Sequence, residues 1–418
     1  MAERLSPEIF RLPVEKIRSG YKTDVYFNRT KEILLKDGHN PQVLMQLFQK
    51  VDDATVCGVD HTLAILETGC GFYRQPEKAK LLFQRYLELE AQNYKLWRDI
   101  KEISWEEYAK TAQELFEVSR ELDQLWQNTF EDLSICALYD GDRVQSRESV
   151  MHIGGKLGNF VHLETLYLGA LTDGTCVATN ARKLVEAAEG SPILMFGARH
   201  KSHESQAGDG YAAFIGGITD VSTHEQGEYW GSKGIGTIPH ALIAAYDGDT
   251  VLATLKFDQY INGGEDKVNV SSLVDFKNDS VKTSLEVAKV LKGRLWAVRL
   301  DTSENMIDSA VWKEIQERGR GADSDTRGVN PRLVFLVREA LDGAGYPNVK
   351  IIASGGFKAE KIKKFKRLGV PVDVYGVGSA LFEGSGGKYD YTADVVLPKA
   401  KIGRGLRENP RLEKITRK

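Results

Sequence analysis

The chain has 418 residues, a formal net charge of −3 at pH 7 and a charged fraction of 28%. This length exceeds that of a usual single hydrophobic core, so we expect about two domains. The small acidic charge excludes a general electrostatic attraction to nucleic acid or to an anionic membrane surface. No run of apolar residues is long enough for a membrane span, and the N-terminus lacks the apolar segment of a secretory signal.

The cysteines give no indication of a metal site. Cys57, Cys70, Cys136 and Cys176 show no Cys-x-x-Cys spacing, and no histidine stands at zinc-finger distance from them. Scattered thiols with apolar neighbours are typical of buried core residues in a reducing compartment. The sequence therefore predicts a cytoplasmic protein without a structural zinc ion.

The first 135 residues are predicted to be mainly helical. Ser104 and Glu107 have the spacing of a capping box, and the apolar residues that follow, from Tyr108 to Phe130, recur at helical spacing. This pattern predicts one long amphipathic packing helix. Between residues 136 and 160, short apolar segments separated by a glycine turn indicate strands instead.

From about residue 160 onward, apolar strands alternate with amphipathic helices. The predicted strands lie within 192–200, 218–223, 251–261, 270–276, 295–302, 349–356 and 372–381. The predicted helices lie within 205–217, 238–248, 279–293, 331–345 and 358–369. Such alternation indicates an α/β fold with a parallel sheet, and the number of units favours closure into an eight-stranded (β/α) barrel. An open doubly wound sheet is the alternative, but no Gly-x-Gly-x-x-Gly follows the first strand.

Glycines end the last two predicted strands. Gly355 and Gly356 follow the first of them, and Gly376 and Gly378 lie in the second. Without side chains, these residues leave main-chain N–H groups open to an anion, and barrels often hold phosphate on their last two strands. We therefore predict a phosphate site at these turns, which also includes the adjacent Ser354 and Ser379.

Two charged residues end another predicted strand. Arg299 and Asp301 alternate with Val298 and Leu300, so both charged side chains project from one face. Two such charges are costly there unless they meet each other or a ligand. A structural ion pair is the alternative, but we favour a functional site because barrel enzymes keep their chemistry at the carboxyl ends of their strands.

Two further segments carry candidate residues. Phe196 and Arg199 lie at the end of the strand segment predicted within 192–200, and His240 stands near the start of a predicted helix, shortly after Gly236 and Thr237. A single histidine is more often a cap or a core residue, but the preceding turn could accept an anion.

The basic segment 399–418 is predicted to be a solvated tail or one added strand, and a phosphate contact is the alternative.

Seven short motifs occur in one order along most of the chain, from about residue 20 to 410. They are TDVY at 23–26, FGARH at 196–200, GGITDVST at 216–223, GTIPHAL at 236–242, VRLDT at 298–302, ASGGF at 353–357 and YGVGSAL at 375–381. In this order and spacing they resemble nicotinate phosphoribosyltransferases and, more distantly, the nicotinamide enzymes. Each motif alone is weak, but the ordered set is specific.

The resemblance implies an architecture and an activity. It implies an N-terminal α+β domain with substrate and dimer contacts at 1–155, an irregular α/β barrel at 156–385, and a C-terminal segment, 386–418, that packs back on the first domain. It implies a homodimer that joins nicotinate to phosphoribosyl pyrophosphate in NAD biosynthesis, with Mg²⁺ as cofactor and ATP as co-substrate. No residue of the chain is assigned as a metal ligand.

The resemblance also assigns residue roles. His240 would be the histidine that ATP phosphorylates, and Arg299 and Asp301 would hold the phosphoribosyl group. The glycine turns would bind its 5-phosphate. The remaining substrate contacts would come from Asp24, Tyr26, Phe196, Arg199, Ser222 and Thr237, with Tyr26 from the partner subunit.

The chain departs from the family pattern at His200, where a second arginine is usual, so a phosphate contact there would depend on pH. The choice between acid and amide substrate depends on alignment. An ungapped alignment puts Ser222 at the selective position and favours nicotinate, whereas a shift of two residues puts Asp220 there, which would repel a carboxylate.

Three other functions remain open: a nicotinamide phosphoribosyltransferase, a phosphate-binding barrel isomerase or lyase that uses Asp301 as a base, and a non-catalytic binding protein.

Overall fold

The computed structural model describes residues 4–99, 104–262, 267–318 and 326–416. The chain separates into two compact units, the first formed by residues 1–175 and 386–418 and the second by residues 176–385. The division falls inside a long helix, Glu164–Ala188, whereas the boundary predicted at residue 155 lies near the end of the strand Ser149–Lys156. In the described ranges, no helix is both long and apolar enough to cross a membrane.

The first unit combines helices with an antiparallel sheet. Its helices are α1 Val14–Arg18, α2 Val25–Lys36, α3 Val59–Gly69, α4 Pro76–Arg98, α5 Trp105–Leu125, α6 Leu157–Phe160 and the first part of α7 Glu164–Ala188. Its strands are β1 Gln42–Phe48, β2 Ala54–Thr55, β3 Gly71–Tyr73, β4 Trp126–Asn128, β5 Ser134–Ala137, β6 Arg143–Val144, β7 Ser149–Lys156, β14 Thr392–Leu397 and β15 Glu413–Lys414. Five strands form a sheet in the order β14-β1-β7-β5-β15.

Local signals in this unit agree with the structure. Ser104 caps α5, since its hydroxyl accepts a hydrogen bond from the main-chain N–H of Glu107 at 3.2 Å. The basic C-terminal segment contributes β15, which pairs antiparallel with β5, so of the two predicted forms, a solvated tail or one added strand, the added strand is observed at Glu413–Lys414.

Lys31, on α2, has a buried side-chain nitrogen without a carboxylate partner among the described residues. Its Nζ donates to the carbonyl of Gly71 at 2.7 Å and lies 3.1 Å from the Nε2 of His162. Burial lowers the pKa of Lys31 to about 7, because the charged ammonium loses its hydration there.

This environment predicts a pH-dependent contribution to stability. Above pH 7 the folded chain releases the Lys31 proton while the unfolded chain keeps it, so the free energy of unfolding rises with pH by up to about 1.4 kcal/mol per pH unit. We expect this rise between pH 7 and about pH 8.5, below the usual cysteine pKa, and we expect Lys31→Met to lose it. Urea unfolding at the two pH values measures the difference. The control is Lys36→Met on the same helix, where Lys36 pairs with Glu32 at the surface; equal slopes in native and Lys31→Met chains would contradict the prediction.

The second unit consists of a parallel sheet with helices between its strands. The strands are β8 Ile193–Met195, β9 Asp220–Val221, β10 Val270–Leu273, β11 Leu295–Leu300, β12 Lys350–Ala353 and β13 Val374–Val377. The helices are the rest of α7, α8 Gln206–Ile215, α9 His240–Ala245, α10 Thr250–Ile261, α11 Ser280–Leu291, α12 Ser309–Arg318, α13 Pro331–Gly343 and α14 Ala359–Arg367. The strand order is β10-β11-β12-β13-β8-β9, with all neighbours parallel.

The predicted α/β class is therefore confirmed, but eight-stranded closure is not observed. In the described part of the chain, the edge strands β9 and β10 do not pair with each other. Instead, an extended segment bridges them: the N–H of Ile235 donates to the carbonyl of Val221 at 2.8 Å, and the N–H of Ile238 donates to the carbonyl of Ser271 at 3.3 Å. This bridge also places Thr237 and His240 beside the sheet.

The segment 251–261 was predicted to be a strand, and this prediction is wrong because the segment is the helix α10. Asp249 caps it, with its carboxylate accepting from the N–H of Leu252 at 2.9 Å. The buried residues Thr250, Ala253, Thr254 and Asp258 lie at helical spacing. A short apolar run such as this one does not by itself distinguish a strand from a buried helix.

Candidate functional site

A cavity of about 600 Å³ lies at the carboxyl ends of the parallel strands in the second unit. It brings together twelve of the residues predicted to form the site: Phe196, Arg199, Ser222, His240, Arg299, Asp301, Ser354, Gly355, Gly356, Gly376, Gly378 and Ser379. His200 and Phe357 also line it. The two glycine turns therefore face one cavity, as expected from parallel strands whose carboxyl ends meet at one edge.

Arg299 is the centre of a hydrogen-bond network in this cavity. Its guanidinium donates to Asp301 Oδ2 at 2.7 Å, to Thr237 Oγ1 at 2.7 Å and to Ser354 Oγ at 3.1 Å. The same guanidinium lies 4.9 Å from the centre of the Phe196 ring. Three directed bonds and an aromatic face hold the guanidinium plane in one orientation.

Asp301 uses both of its carboxylate oxygens within the network. Oδ2 accepts from Arg299, and Oδ1 accepts from the hydroxyl of Ser354 at 2.8 Å. A carboxylate paired in this way is a poor general base, because proton abstraction would break a charge-assisted bond. The arrangement thus argues against an isomerase or lyase that uses Asp301 as its base.

The first glycine turn needs glycine for conformational reasons. Gly355 and Gly356 have φ angles of 87° and 66°, in the left-handed region that other residues rarely adopt. The second stretch needs glycine for reasons of space. A Cβ on Gly376 would lie 2.6 Å from Phe196 Cε2, and one on Gly378 would lie 2.6 Å from His200 Nε2. Both stretches are therefore kept free of side chains on the cavity side.

Arg199 follows the strand β8 and is exposed. It makes no hydrogen bond or ion pair with any described residue. An arginine without a carboxylate partner among the described residues, in the same cavity as the aromatic Phe196, is suited to bind an anionic planar ligand.

His240 pairs with an acid that the sequence analysis missed. Its Nε2 lies 3.2 Å from Asp275 Oδ1, and the Asp275 side chain is only 8% exposed. Burial raises the pKa of Asp275, and the charge of Asp301 raises it further, while His240 opposes the shift. The signal was present, since Asp275 follows the strand β10 just as Asp301 follows β11, but its partner lies 35 residues away in the chain.

The two candidates for the selective position differ in their location. Ser222 lines the cavity, whereas Asp220, on β9, is not among the lining residues. Burial raises the pKa of Asp220. The geometry thus favours the ungapped alignment, in which a neutral hydroxyl faces the ligand.

Asp24 and Tyr26 belong to the first unit and are not among the residues that line this cavity. Asp24 precedes α2 and accepts a hydrogen bond from Thr165 Oγ1 at 2.8 Å, and Tyr26 is 59% exposed. Their predicted substrate contacts remain predictions.

The comparisons with known proteins agree with the ordered motifs. No family model matches the chain. The chain is 26% identical over 252 residues to the nicotinate phosphoribosyltransferase of Bacillus subtilis (strain 168), an alignment that covers 59% of this chain and 45% of that protein. It is 28% identical over 241 residues to nicotinate phosphoribosyltransferase pncB1 of Mycobacterium tuberculosis, covering 57% of this chain and 47% of that protein.

The chain is related in sequence to nicotinate phosphoribosyltransferases. This confirms the resemblance that the motifs indicated. The alignments span about half the length of these curated relatives.

Solved structures extend the comparison over most of the chain. The nicotinate-nucleotide pyrophosphorylase of Pyrococcus furiosus is 27% identical, with a TM-score of 0.66 over 95% of this chain and 79% of that one. Human nicotinic acid phosphoribosyltransferase has a TM-score of 0.56 over 91% of this chain and 76% of that one; at 15% identity, this likeness concerns the fold alone.

Proposed function

We propose that the chain transfers the phosphoribosyl group of phosphoribosyl pyrophosphate to the ring nitrogen of nicotinate, forming nicotinate mononucleotide and pyrophosphate in NAD biosynthesis. The observation that carries the proposal is one cavity that holds the oriented Arg299–Asp301 pair, two glycine stretches without side chains, and Arg199, a cation without an ion-pair partner among the described residues. The curated relatives are named for this activity. The related Pyrococcus protein has a different name, which also concerns a nicotinate nucleotide and pyrophosphate.

The chemistry suits a site built on positioning and charge. Departure of pyrophosphate leaves a ribose centre with oxocarbenium character. The leaving group carries several negative charges, and an arginine stabilises this negative charge more strongly as it develops in the transition state. The pyridine nitrogen needs no deprotonation to attack, so orientation of the ring matters more than a general base. Phe196 would contact the face of the ring, and Arg199 would pair with its carboxylate.

Mg²⁺ is a proposed cofactor that the residues of the cavity can accommodate. The described residues contain no group of three or more histidine, cysteine, aspartate or glutamate side chains that could hold a metal ion. Asp301 and Asp275 are close enough for one charge to raise the pKa of the other carboxyl. Mg²⁺ commonly takes one or two carboxylates and completes its shell with phosphate oxygens and water. Asp301 would be its protein contact, and the ion would supply positive charge to the leaving pyrophosphate.

A role for ATP through His240 belongs to the same proposal. The imidazole is half exposed at the cavity, with Asp275 holding one ring nitrogen, so the other nitrogen can face a phosphoryl donor. The proposal further includes a cytoplasmic homodimer in which Tyr26 of one subunit stacks on the pyridine ring bound by the other.

His240→Gln is expected to remove the stimulation of nucleotide formation by ATP while leaving measurable formation without ATP. The reason is that glutamine keeps a polar group but cannot carry the phosphoryl group. Rates with and without ATP, together with the mass of the protein after incubation with ATP, test this expectation. The control is His200→Gln, since His200 lines the same cavity; it should keep the ATP response. An unchanged response in His240→Gln would exclude the proposed role.

The activity itself is tested by incubating the native chain with phosphoribosyl pyrophosphate, Mg²⁺ and ATP, and with either nicotinate or nicotinamide. We expect the mass of nicotinate mononucleotide and release of pyrophosphate, with slower reaction of the amide. A product from the amide alone would support the nicotinamide enzyme, and absence of pyrophosphate release with both would contradict the proposal.

A further inference from the structure

Gln226 is fully buried next to Ser222 and has no role in the reaction described above. It lies in the short 3₁₀ helix Glu225–Trp230 that follows β9. Its side-chain Oε1 accepts three hydrogen bonds: from the N–H of Ser222 at 3.1 Å, from the N–H of Thr223 at 3.2 Å and from the hydroxyl of Ser222 at 3.1 Å. One buried oxygen thus holds the segment that presents Ser222 to the cavity.

The orientation of the Gln226 amide is determined by its neighbours. Main-chain N–H groups can only donate, so the atom that faces both of them must be the side-chain oxygen. The other amide atom, Nε2, is buried without a partner among the described residues, which is the cost of this orientation. A reversed amide would leave two main-chain donors unsatisfied instead.

The hydroxyl of Ser222 is consequently free to serve either kind of ligand. An amide oxygen has two lone pairs, and the two main-chain donors already satisfy them. The Ser222 hydroxyl can therefore turn its proton to a ligand carboxylate without leaving Oε1 unpaired. When it turns the proton to Oε1, its own oxygen can accept from a ligand N–H.

A second series of hydrogen bonds connects Gln226 to the segment that follows the neighbouring strand β8. Its main-chain N–H donates to Thr223 Oγ1 at 3.2 Å, and that hydroxyl donates to Gln206 Oε1 at 2.9 Å. Gln206 Nε2 then donates to the carbonyl of Ala198 at 3.3 Å, immediately before Arg199. Through these hydrogen bonds, the buried Gln226 is connected both to the Ser222 hydroxyl and to the backbone next to Arg199.

We propose that Gln226 is a positioning residue that allows the site to accept a carboxylate on the pyridine ring, because its neutral amide leaves the Ser222 proton free to turn toward that carboxylate. This inference rests on the proposed function and names what determines its substrate class. A negative charge at the same position would hold the Ser222 proton and repel a ring carboxylate one hydroxyl away.

The test is Gln226→Glu, which keeps an acceptor for the two main-chain donors and adds a titratable charge. We measure kcat/KM for nicotinate and for nicotinamide from about pH 5 to about pH 9, because burial raises the pKa of a carboxyl whereas the hydrogen bonds from the two main-chain N–H groups lower it. The ratio of nicotinate to nicotinamide should fall by about tenfold or more as the introduced carboxyl ionises. In the native chain, the ratio of kcat/KM for nicotinate to that for nicotinamide should not fall over the same pH range.

Gln226→Met is the matched control, since it removes the acceptor without adding charge. It should lower kcat/KM for both substrates, with little change in their ratio. A Gln226→Glu variant whose ratio follows the native chain at every pH would overturn the proposal, because a purely structural acceptor would behave in that way.

Ser222→Ala provides a second test that does not depend on the folding of the Gln226 variants. The proposal requires kcat/KM to fall for both substrates, since the hydroxyl serves each of them; a loss confined to one substrate overturns it. These outcomes differ from failure of the proposed function, in which the native chain would form neither mononucleotide.

Discussion

Arg299→Lys is expected to lower kcat/KM for phosphoribosyl pyrophosphate by about a hundredfold or more. Lysine keeps the positive charge, but its ammonium cannot reproduce the planar set of donors that reaches Asp301, Thr237 and Ser354 together. It also loses the flat contact with the Phe196 ring. Steady-state kinetics with varied phosphoribosyl pyrophosphate measure the effect.

Arg294→Lys is the control for this substitution. Arg294 belongs to the same unit and pairs with Asp258, away from the cavity residues. We expect nearly native kinetics from this variant. If Arg299→Lys were as active as the control, charge alone would explain the role of Arg299, and the oriented network would not matter for the reaction.

Gly378→Val is expected to reduce the affinity for phosphoribosyl pyrophosphate by about a hundredfold, since an isopropyl group would cover the main-chain N–H groups at the end of β13. The substitution also meets a neighbour, because a Cβ at this position lies 2.6 Å from His200 Nε2. Calorimetric titration with phosphoribosyl pyrophosphate, after a thermal unfolding measurement, gives the affinity of the folded variant.

Two further variants separate the causes of this loss. Adding His200→Ala to Gly378→Val removes the side chain that valine would displace; the affinity should stay low if the main-chain site itself is covered. Gly343→Val, at the end of α13, introduces the same side chain where a Cβ meets nothing within 4 Å, and it should bind normally. Native affinity in Gly378→Val would remove the phosphate assignment from this turn.

Several features of the second unit could be predicted because they depend on neighbouring residues. Asp279 caps α11 with its carboxylate on the N–H of Lys282, and Pro331 begins α13, in agreement with the helices predicted within 279–293 and 331–345. The alternation of Val298, Arg299, Leu300 and Asp301 correctly placed the two charged side chains on the cavity side of β11. Each of these features depends on a few neighbouring residues or on the repeat period of a single element.

The features that could not be predicted involve residues far apart in the chain. Eight-stranded closure was not confirmed, because the segment α10 was taken for a strand and because the bridge at Ile235 and Ile238 carries no strand pattern. Asp275 was missed for a similar reason, since nothing in its own segment indicates His240 as its partner.

By itself, the sequence determined most of the strand–helix alternation of the second unit, the glycine turns and the faces on which Arg299 and Asp301 lie, since backbone sterics and hydrophobic periodicity act over a few residues. Only the tertiary structure decided that Ile235 and Ile238 bridge the sheet edges, that Asp275 meets His240, and that Gln226 lies behind Ser222. These contacts join residues that are far apart in the chain. Their distances are determined by the packing of many side chains together, which the residues of one segment do not reveal.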